Sequence, residues 1–262
     1  MTNLTVERQG RIATVTFNRG TSSNLLSHSL MRELTDVARE FQDDLETSAI
    51  ILSGRDDNFC LGFDLKDPET VALKSASLIE RRHAAAVGKR MCEAWETLEQ
   101  LTISAIEGWC VGGGVALAVS TDLRVISDTG HVYVPEIERG LNMSWGSVPR
   151  IVNLIGPARA KRLVALAEKL DAPTAEGWGM VDRICAPGGA TEAALQFAER
   201  AADMPPVAMR MAKRDINAYA NALAATSSHA DPDGFALAQA SEDAEEGINA
   251  FFEKRLPTFR GD

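Results

Sequence analysis

Three short stretches hold the residue types that could stabilise charge or move a proton. Gly112-Gly113-Gly114 follows a run that reads as a buried strand and precedes one that reads as a helix. Glycines there let a backbone approach a ligand with no Cβ in the way, and the unpaired amide hydrogens of a helix N-terminus favour a partial negative charge. The same glycines equally permit close packing of helix on strand. Two phosphate cradles are excluded: Gly114 stands where a P-loop requires lysine, and Leu117 occupies the third glycine place of G-x-G-x-x-G. The second stretch, Phe59 to Leu65, is an apolar island around Gly62 and reads alone as a hydrophobic anchor for its loop. In the third, Glu136 follows the rigid Pro135 between apolar neighbours. Taken alone, such a carboxylate reads as a solvated loop residue.

Other chemistries lack their residues. His28, His83, His131 and His229 are scattered without an H-E-x-x-H pattern, and Cys60, Cys92, Cys110 and Cys185 form no C-x-x-C pair. No metal site is therefore predicted, and the cysteines read as small buried hydrophobes. Twenty-seven basic against 37 acidic residues give a net charge of −10, a field that repels a polyanion and argues against nucleic-acid binding. No apolar run reaches the roughly 18 residues of a membrane span. The stretch Met1 to Gly10 is polar, with no basic head before an apolar run, so the expected compartment is the cytoplasm.

The elements that must position these stretches follow from hydrophobic period. Leu4 to Glu7, a Gln9-Gly10 turn and Ile12 to Phe17 predict a hairpin. Leu30, Leu34, Val37, Ala38 and Phe41 make one helical stripe from about Ser27, and Ala49 to Ser53 predicts a strand. An irregular stretch covers Arg55 to Thr70, too long to be idle. A long helix is expected from Ala76 to Leu101, then a strand over Ile103 to Ile106, the glycine turn, a helix over Val115 to Ser120 and strands over Leu123 to Ser127 and His131 to Val134. This alternation points to an α/β fold. From Pro157 the pattern is nearly all helical: Ala158 to Ala167, Thr174 to Trp178, Ala190 to Ala202 and Pro206 to Leu223, with one strand at Met180 to Cys185. A polar break at Ser227 to Gly234 precedes a last helix, Phe235 to Lys254. We divide the chain into a core, residues 1–200, and a C-terminal helical region, 201–262, suited to oligomerisation or to a lid.

The order of these pieces resembles the crotonase superfamily of enoyl-CoA hydratases and isomerases. The match runs through Phe17-Asn18-Arg19, Asn58 to Lys66, Ala105 to Gly114, Val134-Pro135-Glu136, Gly140, Gly156 to Ala160 and Phe252 to Arg255. Each block is weak singly; together, in family order, they are specific. The resemblance implies a core of stacked ββα turns, C-terminal helices that join subunits into a homotrimer or a dimer of trimers, and an acyl-CoA thioester as substrate. It implies no permanently bound cofactor, coenzyme A being part of the substrate. Family roles map residue by residue: the backbone N–H groups of Phe63 and Gly113 as oxyanion donors, Glu136 as acid/base, and substrate contacts at Cys60, Gly62 and Gly112. Arg19, Lys66 and Lys254 fall where the family approaches the nucleotide end, and Trp145 either walls the acyl pocket or packs in the core.

One departure matters. Hydratases with two glutamates read Gly-Gly-Gly-x-Glu, and here Ala116 takes the place of that glutamate. Asp64, Glu138 and Asp122 are poor substitutes: Asp64 suits a loop cap, and Glu138, two positions on, would point elsewhere in an extended segment. A single glutamate is similar to the pattern of Δ3,Δ2-enoyl-CoA isomerases and of hydroxycinnamoyl-CoA hydratase-lyases, whose glycine loop also begins as Gly108-Trp109-Cys110 does. Those lyases hold a phenolic ring with tyrosines, and Tyr133 and Tyr219 do not map onto them. Ser144 stands near the aspartate nucleophile of the aryl-halide relatives, which excludes that chemistry. Expected is an enolate-forming enzyme acting by isomerisation or single-glutamate hydration; the alternatives are hydratase-lyase activity or a silent thioester-binding relative.

Overall fold

The computed structural model describes residues 3–262; Met1 and Thr2, at the head of the N-terminal stretch, lie outside it. The hairpin β1 (Leu4–Gln9) and β2 (Ile12–Phe17) forms as expected. Next come α1 (His28–Gln42), β3 (Ala49–Ser53), α2 (Pro68–Ala72), α3 (Leu78–Ala85), α4 (Val87–Glu96), β4 (Leu101–Ile106), β5 (Trp109–Val111) and α5 (Gly113–Ala118). Then follow β6 (Leu123–Ser127), β7 (His131–Tyr133), α6 (Ser147–Ala165), β8 (Leu170–Asp171), α7 (Ala172–Trp178), β9 (Arg183–Cys185) and α8 (Ala190–Ala202). The C-terminal region holds α9 (Pro206–Ala220), α10 (Ala224–Ser228), α11 (Asp231–Gln239) and α12 (Glu242–Glu253).

A six-stranded sheet runs β1-β2-β3-β4-β6-β9, parallel from β2 onward, and a second sheet runs β5-β7-β8. Buried on both faces, β3 reads as a continuous apolar run. Its Ile50 and Leu52 join the main core with α1, α4 and α5, while Ala49 and Ile51 meet α8 on the other face. Small residues let that helix lie close: Ala190, Ala193, Ala194, Ala198 and Ala201 make its contact.

Several sequence expectations need correction. The helix expected from Ala76 to Leu101 is two: a capping box at Ser77 and Glu80 starts α3, the chain breaks at Ala86, and α4 ends at Glu96. The apolar Leu98 that extended the stripe lies beyond the helix, and Leu101 opens β4. The irregular stretch ends early because Asp67 caps α2 with Pro68 at its first position. Helix α11 starts at Asp231, with Pro232 in its first turn, inside the expected break, and Ser241 caps a separate α12, so the last helix is also two. Helix α6 begins at Ser147 and passes a kink at Gly156 (φ 75°, ψ 162°), upstream of where Pro157 placed its start. Helix α9 stops at Ala220, the strand at 180–185 shortens to β9, and β5 and β8, of three and two residues, carry too little pattern to be read.

Candidate active site

Two loops lie side by side at the ends of β3 and β4. Cys60 and Cys110 form a parallel bridge, in which Cys60 N–H donates to Trp109 O at 3.0 Å and Val111 N–H donates to Cys60 O at 2.9 Å. Asn24 stitches a third segment to them, its Nδ2 donating to Phe17 O and Phe59 O. Leu26 then pairs with Phe63: Leu26 N–H donates to Gly62 O at 2.8 Å and Asp64 N–H donates to Leu26 O at 3.0 Å. That pairing uses the groups flanking the Phe63 N–H and leaves this hydrogen without an acceptor among the described residues. Opposite it, Gly112 N–H donates to Tyr133 O at 2.8 Å, and Gly113 opens α5 with an N–H equally free. The two loops touch here, since a Cβ on Gly62 (φ 97°) would stand 3.2 Å from Val111 O and 3.8 Å from Gly113 N. Two backbone donors on adjoining loops can stabilise one developing oxyanion.

Glu136 opens a 3₁₀ turn, Glu136–Arg139, rather than an extended segment. Its Oε1 fills the space beside Gly112 where a side chain would begin. Its Oε2 is closed to solvent and has no hydrogen-bond partner among the described residues, so this is no solvated loop residue. Burial disfavours the charged form and pushes the carboxyl up from 4.5 to about 7, against smaller opposing pulls from its own backbone N–H and then from Arg139. A carboxyl poised near neutrality, without a fixed partner, can both take and return a proton.

The other singled-out residues have clear places. Ala116 is fully buried in α5 and offers a methyl. Arg19 donates to Asp64 at 2.7 Å and to Leu25 O at 3.1 Å, and Asp64 accepts from Lys66 N–H at 3.0 Å, so Asp64 orients the Phe63 loop. The Cys60 thiol is pushed up to about 12 by burial and accepts from Gly62 N–H. Glu138 is exposed and accepts from the Tyr133 hydroxyl, while Tyr219 is exposed on α9. Asp122 belongs to a structural pair with Lys213 at 2.6 Å. Ser144 accepts through its carbonyl from Ser147. Trp145 is half-buried and meets Phe63 edge to face at 6.2 Å. Helix α12 spans both halves of the site, with Arg139 over Phe251 at 4.3 Å and Lys66 over Phe252 at 4.6 Å. Lys254 ends that helix, exposed and left-handed at φ 57°.

Sequence reasoning missed Leu26, Asn24 and the buried pair of His28 and Asp67 (3.0 Å), whose imidazole meets the Phe63 ring at 5.5 Å. Only the polar cluster around Asn24 carried a hint, because asparagine tolerates the positive φ found there, 43°.

Among the described residues, no group of histidines, cysteines and carboxylates fits a metal ion, and no helix is long and apolar enough to cross a membrane. The family model described as enoyl-CoA hydratase/isomerase matches residues 7–262. The chain is 29% identical to the short-chain-enoyl-CoA hydratase of Clostridium acetobutylicum over 97% of this chain and 96% of that protein. It superposes on the enoyl-CoA hydratase/isomerase of Pseudoalteromonas atlantica with a TM-score of 0.86 at 26% identity, covering 99% of this chain and 100% of the other. The carnitinyl-CoA hydratase of Mycobacterium avium gives 0.86 at 28% identity, covering 99% of each chain. With a crotonase-like α/β core, a C-terminal helical region and the match along nearly its whole length, the chain belongs to the enoyl-CoA hydratase/isomerase family of enzymes.

Proposed function

We propose that this enzyme moves the double bond of an enoyl-CoA thioester, with Glu136 as its sole acid/base and the N–H groups of Phe63 and Gly113 as the oxyanion donors. The observation that carries this reading is a Glu136 carboxyl with its Oε2 closed to solvent and unpartnered among the described residues, together with a buried methyl at position 116 in place of a second acid. Starting from a 3-enoyl thioester, the Glu136 carboxylate takes a proton from C2, and the electron pair spreads onto the thioester oxygen held by the two amides. The protonated Glu136 then returns the same proton at C4, and the double bond ends between C2 and C3. Nothing is gained or lost overall, so one carboxyl suffices. Hydration asks more, because a water must be held and deprotonated while a proton is delivered to the α-carbon, work usefully shared between two groups. Ala116 can do neither.

Lys66, beside Phe252, and Arg19, beside Asp64, lie near the loop that would receive the nucleotide end of coenzyme A. In this reading coenzyme A arrives and leaves as part of the substrate, with no resident cofactor. Helix α9 exposes Val207, Met211, Ile216 and Tyr219, an apolar set suited to a homotrimer or a dimer of trimers.

The test supplies the 2-enoyl and 3-enoyl thioesters separately. Growth of conjugated absorbance from the 3-enoyl substrate, lost in Glu136→Gln, is the expected result. Loss of conjugation from the 2-enoyl substrate with no activity on the 3-enoyl one marks hydration instead, and full turnover by Glu136→Gln removes the assignment. Binding without conversion of either substrate identifies a silent relative.

A further inference from the structure

Gly88 lies buried within α4, where a glycine loosens a helix for no local gain. Its reason is the Trp145 indole. A Cβ on Gly88 would run into the bond shared by the two indole rings, and a Cβ on Gly113 would stand 2.7 Å from Cζ3 of the same side chain. The benzo ring is therefore seated between two glycines, one on α4 and one on α5. The backbone is held to match. Trp145 has φ 61°, a conformation that bulky residues avoid, and it is fixed from both sides. Arg150 Nη1 donates to Trp145 O at 3.1 Å, and Gly146 N–H donates to Asp231 at 2.8 Å. Arg150 is itself clamped by Glu96 at 2.7 and 2.8 Å. Helix α4 thus supplies both the Gly88 notch and, two turns on, the Glu96 clamp.

The seated indole touches both residues that frame the proposed oxyanion position, Gly113 directly and Phe63 edge to face. On its far side the Phe63 ring is backed in turn by the buried His28 imidazole, ring centroids 5.5 Å apart, so this aromatic pair is held from both ends.

Resting on the thioester reading above, we infer that Trp145, seated in the Gly88 notch, is the specificity-determining residue that stops the acyl chain at the Phe63–Trp145 pair and restricts this enzyme to short acyl groups. Gly88 is its positioning residue. Removing the indole empties the space it fills between Gly88 and Gly113, and that space then takes the tail of a longer chain.

The experiment measures kcat/KM for enoyl-CoA thioesters of four to ten acyl carbons in the native enzyme, Trp145→Ala, Gly88→Ala and Trp145→Phe. Calorimetric binding of the saturated four- and ten-carbon thioesters supplies a readout that needs no turnover. The expected native preference for four carbons over ten is on the order of a hundredfold; Trp145→Ala narrows it to less than tenfold, Gly88→Ala shifts it the same way, and Trp145→Phe restores most of it. A native profile flat within threefold, or a Trp145→Ala enzyme that loses all lengths equally in rate and binding, overturns the inference. In those cases a Glu136→Gln loss of turnover leaves the acid/base reading standing, whereas a native protein that binds no acyl-CoA of any length removes both.

Discussion

Glu136 Oε1 and the Cα of Gly112 are in direct apposition, so the acid/base carboxyl and the turn that feeds α5 share one small volume. Gly112 also has φ 51° and ψ −112°, a region that only glycine occupies readily. Gly112→Ala must therefore both strain the turn and displace the carboxyl. We expect a stability loss of about 1–3 kcal/mol by denaturant unfolding, and a fall in kcat of at least about a hundredfold from the misplaced carboxyl. Native kcat in this variant would show that the carboxyl works from another position.

The raised Glu136 carboxyl makes a second prediction, about pH. Because the folded value, about 7, lies above the unfolded value of 4.5, the native state binds the extra proton between these limits and folding weakens as pH rises through them. The penalty is absent below pH 4.5 and complete above pH 7, at roughly 3 kcal/mol for a shift of this size. Glu136→Gln, neutral throughout, should thus be more stable than the native protein at pH 8 and equal to it at pH 4.5. Urea unfolding at the two values checks this, and an equal difference at both would place the carboxyl in solvent. With Glu136 as base, native kcat/KM also falls about tenfold per pH unit below about 7.

The fold was legible where period and length were strong. The β1–β2 hairpin, the α1 stripe and the doubly buried β3 run all appear where hydrophobic spacing put them. Element ends were not legible, because side-chain caps decide them locally: Ser77, Asp67 and Ser241 each begin a helix that the apolar pattern alone merged or missed. The site was half visible. Gly112, Gly113 and Glu136 stood out by type, but burial of the Glu136 carboxyl is a tertiary fact that its own neighbours do not encode. Leu26 and Gly88 look like ordinary core and helix positions until their partners in space are known.

Backbone donation separates position 63 from its side chain. The Leu26 pairing uses Gly62 O and Asp64 N–H, so the Phe63 N–H is spare in the fold. Phe63→Ala should keep kcat within about tenfold, since the donor stays, whereas Phe63→Pro deletes the donor without deleting a fold hydrogen bond. Loss of one oxyanion donor costs on the order of 10²–10³ in kcat. Steady-state kinetics beside thermal unfolding checks this: a proline variant that folds and keeps native kcat would exclude this amide from the chemistry.

Asp122 offers the opposite case, a carboxylate that serves the fold. It accepts from Thr102 N–H at 2.7 Å and from the Thr102 hydroxyl at 2.9 Å, and it pairs with Lys213 at 2.6 Å, which ties α9 to the start of β4. Lys213 is buried, also donates to Gln100 O, and is pulled down by that burial. Removing one partner strands the other, and breaking a buried pair costs about 3–5 kcal/mol. Asp122→Ala is therefore expected to lower the unfolding midpoint strongly, with the folded fraction keeping its kcat and its pH profile because no atom of the pair reaches Glu136 or the glycine turn. Active-site titration with a tight thioester inhibitor separates folded fraction from rate. A changed acid limb in the pH profile of the folded fraction would instead make Asp122 part of the proton-transfer machinery.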